Sequence, residues 1–292
     1  MPRNAAQRRL HVMVTCEHGG NRVPARYAAW FEGSEAVLAS HRGYDPGALG
    51  LARALAARLG ASLRYTTVSR LVVEQNRSPG HRQLFSEMLR AAPAAVREDA
   101  YARHYAPYHA AVEAEVAGAI AAGERVLHIA SHSFTPMLQG VQRRTDIGLL
   151  YDPARPAEVA LCAALQRALT MRTGMTVRLN YPYRGTSDGL PTALRRRFPS
   201  VRYAGMELEV NQRHVATQAW PALRRAIVGA FAEALAAWRA TPVAMAGSAA
   251  LAGSPEANVS APTRPRAAPG NTPRSRAGRP APGLRAATRA GR

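Results

Sequence analysis

The residues of this chain that could do chemistry are two histidines and three carboxylates, all close to apolar runs. His18 lies in the stretch "VTCEHGGNRVP", and His132 lies between two serines in "RVLHIASHS". Glu207 and Glu209 belong to "YAGMELEVNQ", and Asp45 belongs to "HRGYDPGA". Two histidines and one carboxylate are the ligand set of a catalytic zinc-type site, which leaves a position open for water. A further carboxylate could move protons in such a site.

Each of these residues also has an ordinary structural interpretation. His18 could be satisfied by the backbone of a turn, and His132 could be a core histidine. Asp45 precedes Pro-Gly at a helix start, where aspartate is a common N-cap. Glu207 and Glu209 are two residues apart and share a strand face, so they could form a solvated edge. Their joint occurrence near strand ends favours a site more than any one of them does.

Cys16, two residues before His18, raises the alternative of a thiol nucleophile paired with a histidine. No obvious orienting group is near it in the sequence. A cysteine at the end of a buried strand usually packs as a small hydrophobic residue. We therefore interpret Cys16 as part of the core.

The elements that must position these residues alternate between strands and helices. Strands or extended segments are predicted at "LHVMVTC", "ASLRYTTVS", "RLVVEQN", "RVLHIASHS", "TDIGLLYD", "MTVRLNYPY" and "YAGMELEVNQ". This alternation predicts an α/β fold, a single domain with a mixed or mostly parallel sheet and helices on both faces. Active sites of such folds lie beyond the carboxyl ends of the strands, where the polar residues are found.

The helix signals are local. "DPGALGLARALAARLG" predicts a helix with Asp45 as its cap, Pro46 at the first position and Gly60 at its end. "PAAVREDAYARHYAPYHAAVEAEVAGAIAAG" predicts two helical segments separated at Pro107. Further helices are predicted at "PAEVALCAALQRALTMRTG", which closes on Gly174, and at "AWPALRRAIVGAFAEALAAWRA".

The composition changes near residue 241. Residues 1–242 are predicted to fold, whereas residues 243–292 are rich in Pro, Gly, Ala and Arg without periodicity and are predicted to be disordered. The net charge is +20 and all 39 basic residues are arginine. Because these arginines are scattered and aromatic residues are few, coding bias explains the charge better than a nucleic-acid partner does. Contact with nucleic acid through the tail remains the alternative.

The number of cysteines and the length of the apolar runs indicate in which compartment the protein works and whether it enters a membrane. Two cysteines, Cys16 and Cys162, cannot form a disulfide framework. The first apolar run is too short for a signal-peptide core, and no stretch approaches the length of a membrane span. A cytoplasmic protein without a membrane partner is expected.

Taken together, the motifs resemble the N-formylglutamate amidohydrolase family, whose fold is similar to that of zinc-dependent exopeptidases and cell-wall amidases. The resemblance extends over nearly all of residues 10–235. It is carried by "EHGGNRVP" (17–24), "YDPGA" (44–48), "SRLVVEQNRS" (69–78), "SHSF" (131–134), "RTDIGLLYD" (144–152), "NYPYRGTSDG" (180–189) and "ELEVNQ" (207–212).

The resemblance implies a metal-dependent hydrolase that cleaves a linear amide on an acidic amino acid, such as N-formylglutamate. The metal, zinc by default, would be held by His18, Asp45 and His132. Glu209 would be the general acid and base, with Glu207 as its competitor. The substrate would be a small N-acyl amino acid, and arginine is a natural partner for its carboxylates. The candidate substrate-binding residues are Asn76, Arg77, Arg144 and Arg184.

Three positions depart from the related patterns. Better-known members of the family usually carry aspartate where Glu74 stands and arginine where Asn211 stands. Zinc exopeptidases have a glutamate three residues after the first histidine, where this chain has Asn21. Glu17 therefore competes with Asp45 for the third ligand position. An amidase of peptide or cell-wall amides, and a member of the fold without metal or activity, are the remaining alternatives.

Overall fold

A six-stranded sheet in the order β2-β1-β3-β8-β6-β7 is the centre of the molecule. The computed structural model describes residues 9–240. The strands of this sheet are β1 (Leu10–Cys16), β2 (Ser62–Tyr65), β3 (Arg125–Phe134), β6 (Ile147–Leu150), β7 (Val177–Leu179) and β8 (Tyr203–Asn211). All neighbours pair in parallel except β6 and β8. The predicted single α/β domain with a mostly parallel sheet is confirmed. The predicted tail, 243–292, lies outside the described residues.

Helices cover both faces of the sheet. They are α1 (Glu35–Leu38), α2 (Ala48–Leu59), α3 (Glu87–Ala91), α4 (Ala94–Ala100), α5 (Ala106–Ala121), α6 (Pro156–Thr173), α7 (Leu190–Arg197) and α8 (Trp220–Ala240). The helices α2, α6 and α8 pack on one face in a large apolar cluster, and α5 and α7 pack on the other in a smaller one. Within residues 9–240, no helix is both long and apolar enough to cross a membrane.

The two faces of the central strands differ in chemistry. Leu127 and Ile129 of β3, like Leu208 and Val210 of β8, point into the large cluster under α2, α6 and α8. The alternating residues point to the opposite face, where His132 pairs in register with Glu209. The carboxyl ends of β1, β3 and β8 thus bring polar residues together on one face, while the other face supplies the core.

The predicted cap of the first long helix is wrong. Helix α2 begins at Ala48, and its N-cap is Gly47, whose φ of 80° lies in the left-handed region that favours glycine. Asp45 makes no capping hydrogen bond because its carboxylate is bound by side chains of the site, described below. The predicted helix end at Gly60 is confirmed.

The segment "RLVVEQN" was expected to be extended, but it belongs to no strand. It forms successive turns, in which the Val72 N–H donates to Ser69 O and the Leu71 N–H donates to the Ser69 hydroxyl. Leu71 and Val72 pack with Tyr27 and Phe31, and Val73 packs in a separate small cluster, rather than on a sheet neighbour. An apolar run predicts only that a segment is buried. Here the segment is buried as a loop, without pairing to a strand.

The helical region around Pro107 is divided, as predicted. Helix α4 ends at Ala100, a π-helical turn spans Tyr101–Tyr105, and α5 begins at Ala106 with Pro107 in its first turn. Proline has no N–H to donate, and the wider turn before it accommodates the carbonyl that would have accepted that hydrogen bond. Helix α7 was not predicted.

A small hairpin connects β3 to β6. Its strands are β4 (Met137–Leu138) and β5 (Val141–Gln142), which pair antiparallel. The connecting residues Gln139 and Gly140 both have positive φ, as a two-residue type I′ turn requires. The hairpin returns the chain to the carboxyl end of β8, where β6 begins.

Candidate active site

Three predicted ligands converge at the carboxyl ends of β1 and β3. Asp45 Oδ2 lies 3.2 Å from His18 Nδ1 and 3.0 Å from His132 Nδ1. One ligand atom from each of the three residues lies within 4.8 Å of the other two, and all three residues are buried. Each residue comes from a different part of the chain, so only the folded sheet brings them together.

Local backbone contacts fix this arrangement. The N–H of Asp45 donates to His18 O, which ties the loop before α2 to the turn after β1. The Ser133 N–H, next to His132, donates to Asp45 Oδ2 at 3.3 Å. Burial opposes ionisation of Asp45, but His18, His132 and Arg70 outweigh it and lower the pKa of its carboxyl group.

A second carboxylate lies against the outer nitrogen of each imidazole. Glu74 Oε1 hydrogen-bonds with His18 Nε2. Glu17 Oε2 lies 3.1 Å from His132 Nε2, at an angle outside hydrogen-bond geometry. Burial opposes ionisation of Glu17, but the contact with His132 outweighs it and lowers the pKa of Glu17 to about 2. Both imidazoles therefore present Nδ1 to Asp45 and Nε2 to a buried carboxylate.

Glu209 lies beside His132 on the neighbouring strand, about 5 Å away at the backbone. Its Oε2 atom is buried and has no hydrogen-bond partner among residues 9–240. Burial raises the pKa of Glu209 to about 8, and Asp45 and Glu207 add to the rise against the opposing charge of His132. A buried carboxylate oxygen without a partner, on a residue paired in register with a possible ligand, is suited to exchange protons with a bound molecule.

Glu207 is two residues earlier on the same face of β8 and is less buried than Glu209. It pairs in register with Ala130, one pleat away from the histidines. Burial raises the pKa of Glu207 above its ordinary value. A Cβ at Gly189 would lie 3.3 Å from Glu207 Oε1 and 2.8 Å from Asn76 Oδ1, so both side chains lie next to Gly189, just before α7.

Asn76 and Arg77 connect the turn segment to the loop before α7. Asn76 Oδ1 accepts the Leu190 N–H at 2.7 Å, and Arg77 Nη1 donates to Asp188 O at 2.8 Å. Arg77 also donates to Asn76 O. Asn76 is buried and Arg77 is partly buried. Asn76 and Glu207 both lie next to Gly189, and the charge of Arg77 acts on Glu207.

The other two predicted arginines, Arg144 and Arg184, have exposed side chains. The structure instead places Arg70 against the cluster, where it donates to Glu74 and to Asp45 Oδ1. The site residues predicted from the sequence do not include Arg70, although it belongs to the "SRLVVEQNRS" motif that carries the resemblance. The position of Arg70 four residues before Glu74 was the available signal.

Cys16 is fully buried among apolar residues of the large cluster. Burial, followed by the charges of Glu17 and Asp45, raises the pKa of its thiol well above the ordinary value, which disfavours the thiolate. A separate hollow of about 290 Å³, lined by Phe85, Ala94, Arg97, Glu98 and Tyr101, contains none of the site residues.

The residues present fit a divalent cation. Two imidazole nitrogens and one carboxylate oxygen are the donors that catalytic zinc sites use. Carboxylates behind ligating imidazoles fix the ring orientation, and here Glu74 and Glu17 occupy those places. Such sites place a proton-transfer group beside the metal, and the buried Glu209 oxygen without a partner is a candidate for it.

Fold and site together define an α/β protein with a histidine–carboxylate cluster at the carboxyl edge of parallel strands. Residues 10–216 match the family model described as N-formylglutamate amidohydrolase. The chain belongs to the N-formylglutamate amidohydrolase family, and this membership implies a hydrolase acting on an amide.

Solved structures share this fold. A gene product of Agrobacterium tumefaciens is 29% identical with a TM-score of 0.66, and the match covers 80% of this chain and 92% of that one. The N-formylglutamate amidohydrolase of Ralstonia eutropha JMP134 is 20% identical with a TM-score of 0.61, covering 80% and 95%, and supports the fold alone. Among curated proteins, no sequence matches the chain significantly.

Proposed function

We propose that this chain is a metal-dependent amidohydrolase that cleaves the linear amide of an N-acylated acidic amino acid, such as N-formylglutamate. One observation carries the proposal. His18 and His132 both direct Nδ1 at Asp45 Oδ2 while a buried carboxylate lies against each Nε2. Ion pairs that serve stability alone do not require two buried imidazoles facing one carboxylate oxygen.

His18, Asp45 and His132 would hold the cation, and zinc suits this donor set. A bound cation would supply Lewis acidity to the amide carbonyl and lower the pKa of water in the site. Glu209 takes a proton from the attacking water and delivers it to the leaving nitrogen, so that the C–N bond breaks to give formate and the free amine. Glu207 is the alternative base. Substrate binding by Asn76, Arg77, Arg144 and Arg184 stays a prediction.

Metal analysis combined with formate release tests the proposal. The purified chain should contain stoichiometric zinc or another divalent metal and release formate from N-formylglutamate, and chelation should stop the release. A panel with N-acetylglutamate, a dipeptide and a muramoyl-alanine amide distinguishes the peptide and cell-wall alternatives. Turnover of the cell-wall amide alone would replace the proposed substrate, and activity without metal would remove the proposed mechanism.

The ligand assignment is tested by two buried histidines on the same face of β3. His132→Ala should abolish metal content, since it removes one of three protein donors. His128→Gln is the matched control, because His128 is also fully buried but contacts Thr15 and Tyr203. Stoichiometric metal in His132→Ala would show that the ligand set is wrong.

Glu209→Gln should retain metal and lower kcat by about 100- to 10,000-fold, the contribution of a positioned general acid or base. Glu207→Gln should lower kcat much less, because Glu207 lies one pleat from the histidines. Rates measured at saturating substrate decide between the two carboxylates. Near-normal turnover by Glu209→Gln would assign the role to Glu207 or elsewhere.

A further inference from the structure

Arg143 and Arg195 have buried side chains, and they differ in how their charge is compensated. Each is 7% exposed. Arg195 pairs with Glu158 at 3.0 Å and donates to the carbonyls of Gly185 and Gly205. Arg143 forms no ion pair with any residue between 9 and 240, and it donates to the Tyr183 hydroxyl at 3.0 Å. A buried guanidinium without a carboxylate is costly, so its environment indicates an anion supplied from outside the chain.

The backbone of Arg143 is held from two sides. Its N–H donates to Pro136 O across the β4–β5 hairpin. The side-chain amide of Asn211, at the end of β8, donates to Arg143 O at 3.0 Å and to Thr145 O at 2.9 Å. These contacts fix the direction in which the side chain leaves the loop.

The guanidinium of Arg143 lies over two aromatic rings beside the site. Its Cζ is 5.8 Å from the Phe134 centroid and 5.1 Å from the Tyr183 centroid. Phe134 follows His132 by two residues, so both side chains lie on the same face of β3, about 7 Å apart along the strand. Arg143 is therefore on the face that carries His132 and Glu209, one step beyond them towards the open end of the strands.

Arg143 is one of several charged groups near His41, a group that also includes Arg70, Arg42 and Asp45. Burial lowers the pKa of His41, and the charges of Arg70, Arg42 and Arg143 lower it further. Arg70 is already neutralised, since it lies 2.6 Å from Glu74 and 3.3 Å from Asp45. Arg143 is left as the buried cation of this group without a carboxylate partner among the described residues.

Arg77 differs from Arg143 in its contacts. Its Nη1 atom donates to the carbonyls of Asn76 and Asp188, which ties two loops together. This use of the guanidinium is structural, whereas the guanidinium of Arg143 rests on aromatic rings and one hydroxyl. A planar guanidinium stacked in this way keeps its bidentate edge for a carboxylate.

We propose that Arg143 is a specificity-determining residue that pairs with a free carboxylate of the acylated amino acid. This inference rests on the proposed function, because it names the group by which the same site selects its substrate. The Tyr183 hydroxyl and the rings of Phe134 and Tyr183 hold the guanidinium in place. Hydrolysis of uncharged N-acyl compounds is then slow because the buried charge stays unpaired.

Amide analogues of the substrate test this proposal. N-formyl-L-glutamate is compared with N-formyl-L-glutamine and with the α-amide of N-formylglutamate, so that each carboxylate is neutralised in turn. Arg143→Gln should lower kcat/KM for N-formylglutamate about 100-fold, mainly through KM. With one of the two amides as substrate, the kcat/KM values of wild type and Arg143→Gln should differ by less than about threefold. That amide identifies the carboxylate that Arg143 binds.

Two further variants separate charge from structure. Arg143→Lys keeps the charge without the planar fork and should recover part of the loss. Arg53→Lys is the matched control, because Arg53 also lies over a tyrosine ring, at 5.2 Å from the Tyr65 centroid, and donates to its hydroxyl. It should leave kcat and KM unchanged. If Arg143→Gln does not fold, Tyr183→Phe removes the supporting hydroxyl and should raise KM about fivefold.

Calorimetric measurement of L-glutamate binding tests the inference without requiring that the protein hydrolyse a substrate. If wild type binds L-glutamate and Arg143→Gln binds it about 100-fold more weakly, the inference stands even where no formate is released and the proposed function fails. The inference is overturned if Arg143→Gln lowers kcat/KM by the same factor for N-formylglutamate and for both amides. A wild type that binds L-glutamate and its amides equally well overturns it too.

Discussion

Glu74 lies between His18 and Arg70, and it joins the candidate metal cluster to a positive charge. Burial opposes its ionisation, but Arg70 and His18 outweigh burial and lower the pKa of the Glu74 carboxyl group. A carboxylate behind an imidazole orients the ring and raises its basicity as a ligand. Glu17 makes the equivalent contact with His132. Glu17 therefore lies against the outer nitrogen of His132, on the side away from Asp45.

Glu74→Gln should weaken metal binding about 10- to 100-fold, the usual effect of removing a carboxylate behind a ligating histidine. Competition with a chromophoric chelator measures the affinity. Glu115→Gln is the matched control, because Glu115 contacts His11 Nε2 at 3.0 Å and Arg64 at 2.7 Å away from the site. Equal affinities of Glu74→Gln and the control would show that Glu74 does not support a ligand.

At the scale of elements, three strands share a buried polar chain below the site. The Thr15 hydroxyl of β1 lies 2.7 Å from His128 Nε2 on β3, and His128 Nδ1 lies 2.7 Å from the Tyr203 hydroxyl on β8. Burial, with charges of Arg195 and His132, lowers the pKa of His128 to about 4 against the opposing effect of Glu17. His128 is therefore neutral in the folded chain at neutral pH, and both of its nitrogens have partners.

This chain of hydrogen bonds predicts a pH dependence of stability. The unfolded chain protonates His128 below about pH 6.5, whereas the folded chain does so only near pH 4, so stability falls as pH drops through that window. The His128 contribution to this fall is about 3 kcal/mol. Urea unfolding at a series of pH values should show a steeper loss for wild type than for His128→Gln. Parallel curves for the two proteins would contradict the prediction.

At the scale of the whole molecule, the sequence carries an excess of positive charge, although the candidate site is rich in carboxylates. The chain has a net charge of +20, carried entirely by arginine. A field of this sign attracts anionic substrates and raises their encounter rate at low salt. This suits the proposed substrate, an acylated acidic amino acid, which is an anion at neutral pH.

Removal of residues 243–292 should leave kcat/KM within about twofold, because helix α8 ends at Ala240 and every proposed site residue lies before it. Formate release by the truncated chain is the measurement. Salt-dependent binding to duplex DNA, compared between the full and truncated chains, tests the nucleic-acid alternative. A large loss of activity on truncation would show that the segment takes part in the site.

The sequence by itself determined the main strands, the long helices and three residues of the cluster, His18, Asp45 and His132. Apolar runs located β1, β3 and β8, and the glycines after α2 and α6 marked helix ends, because these signals act within a few residues. His18 and His132 were recognised because both stand at strand ends, where parallel sheets gather functional groups.

Tertiary structure decided which partner each side chain has. Asp45 has the sequence context of an N-cap, yet it faces two imidazoles that are distant in the chain. Arg143 and Arg144 are neighbours of the same type, and one is buried while the other is exposed. The Asn211 contact and the Phe134 and Tyr183 rings belong to Arg143 and not to Arg144. Such contacts depend on which strands are neighbours in space, and the periodicity of the sequence does not show which strands those are.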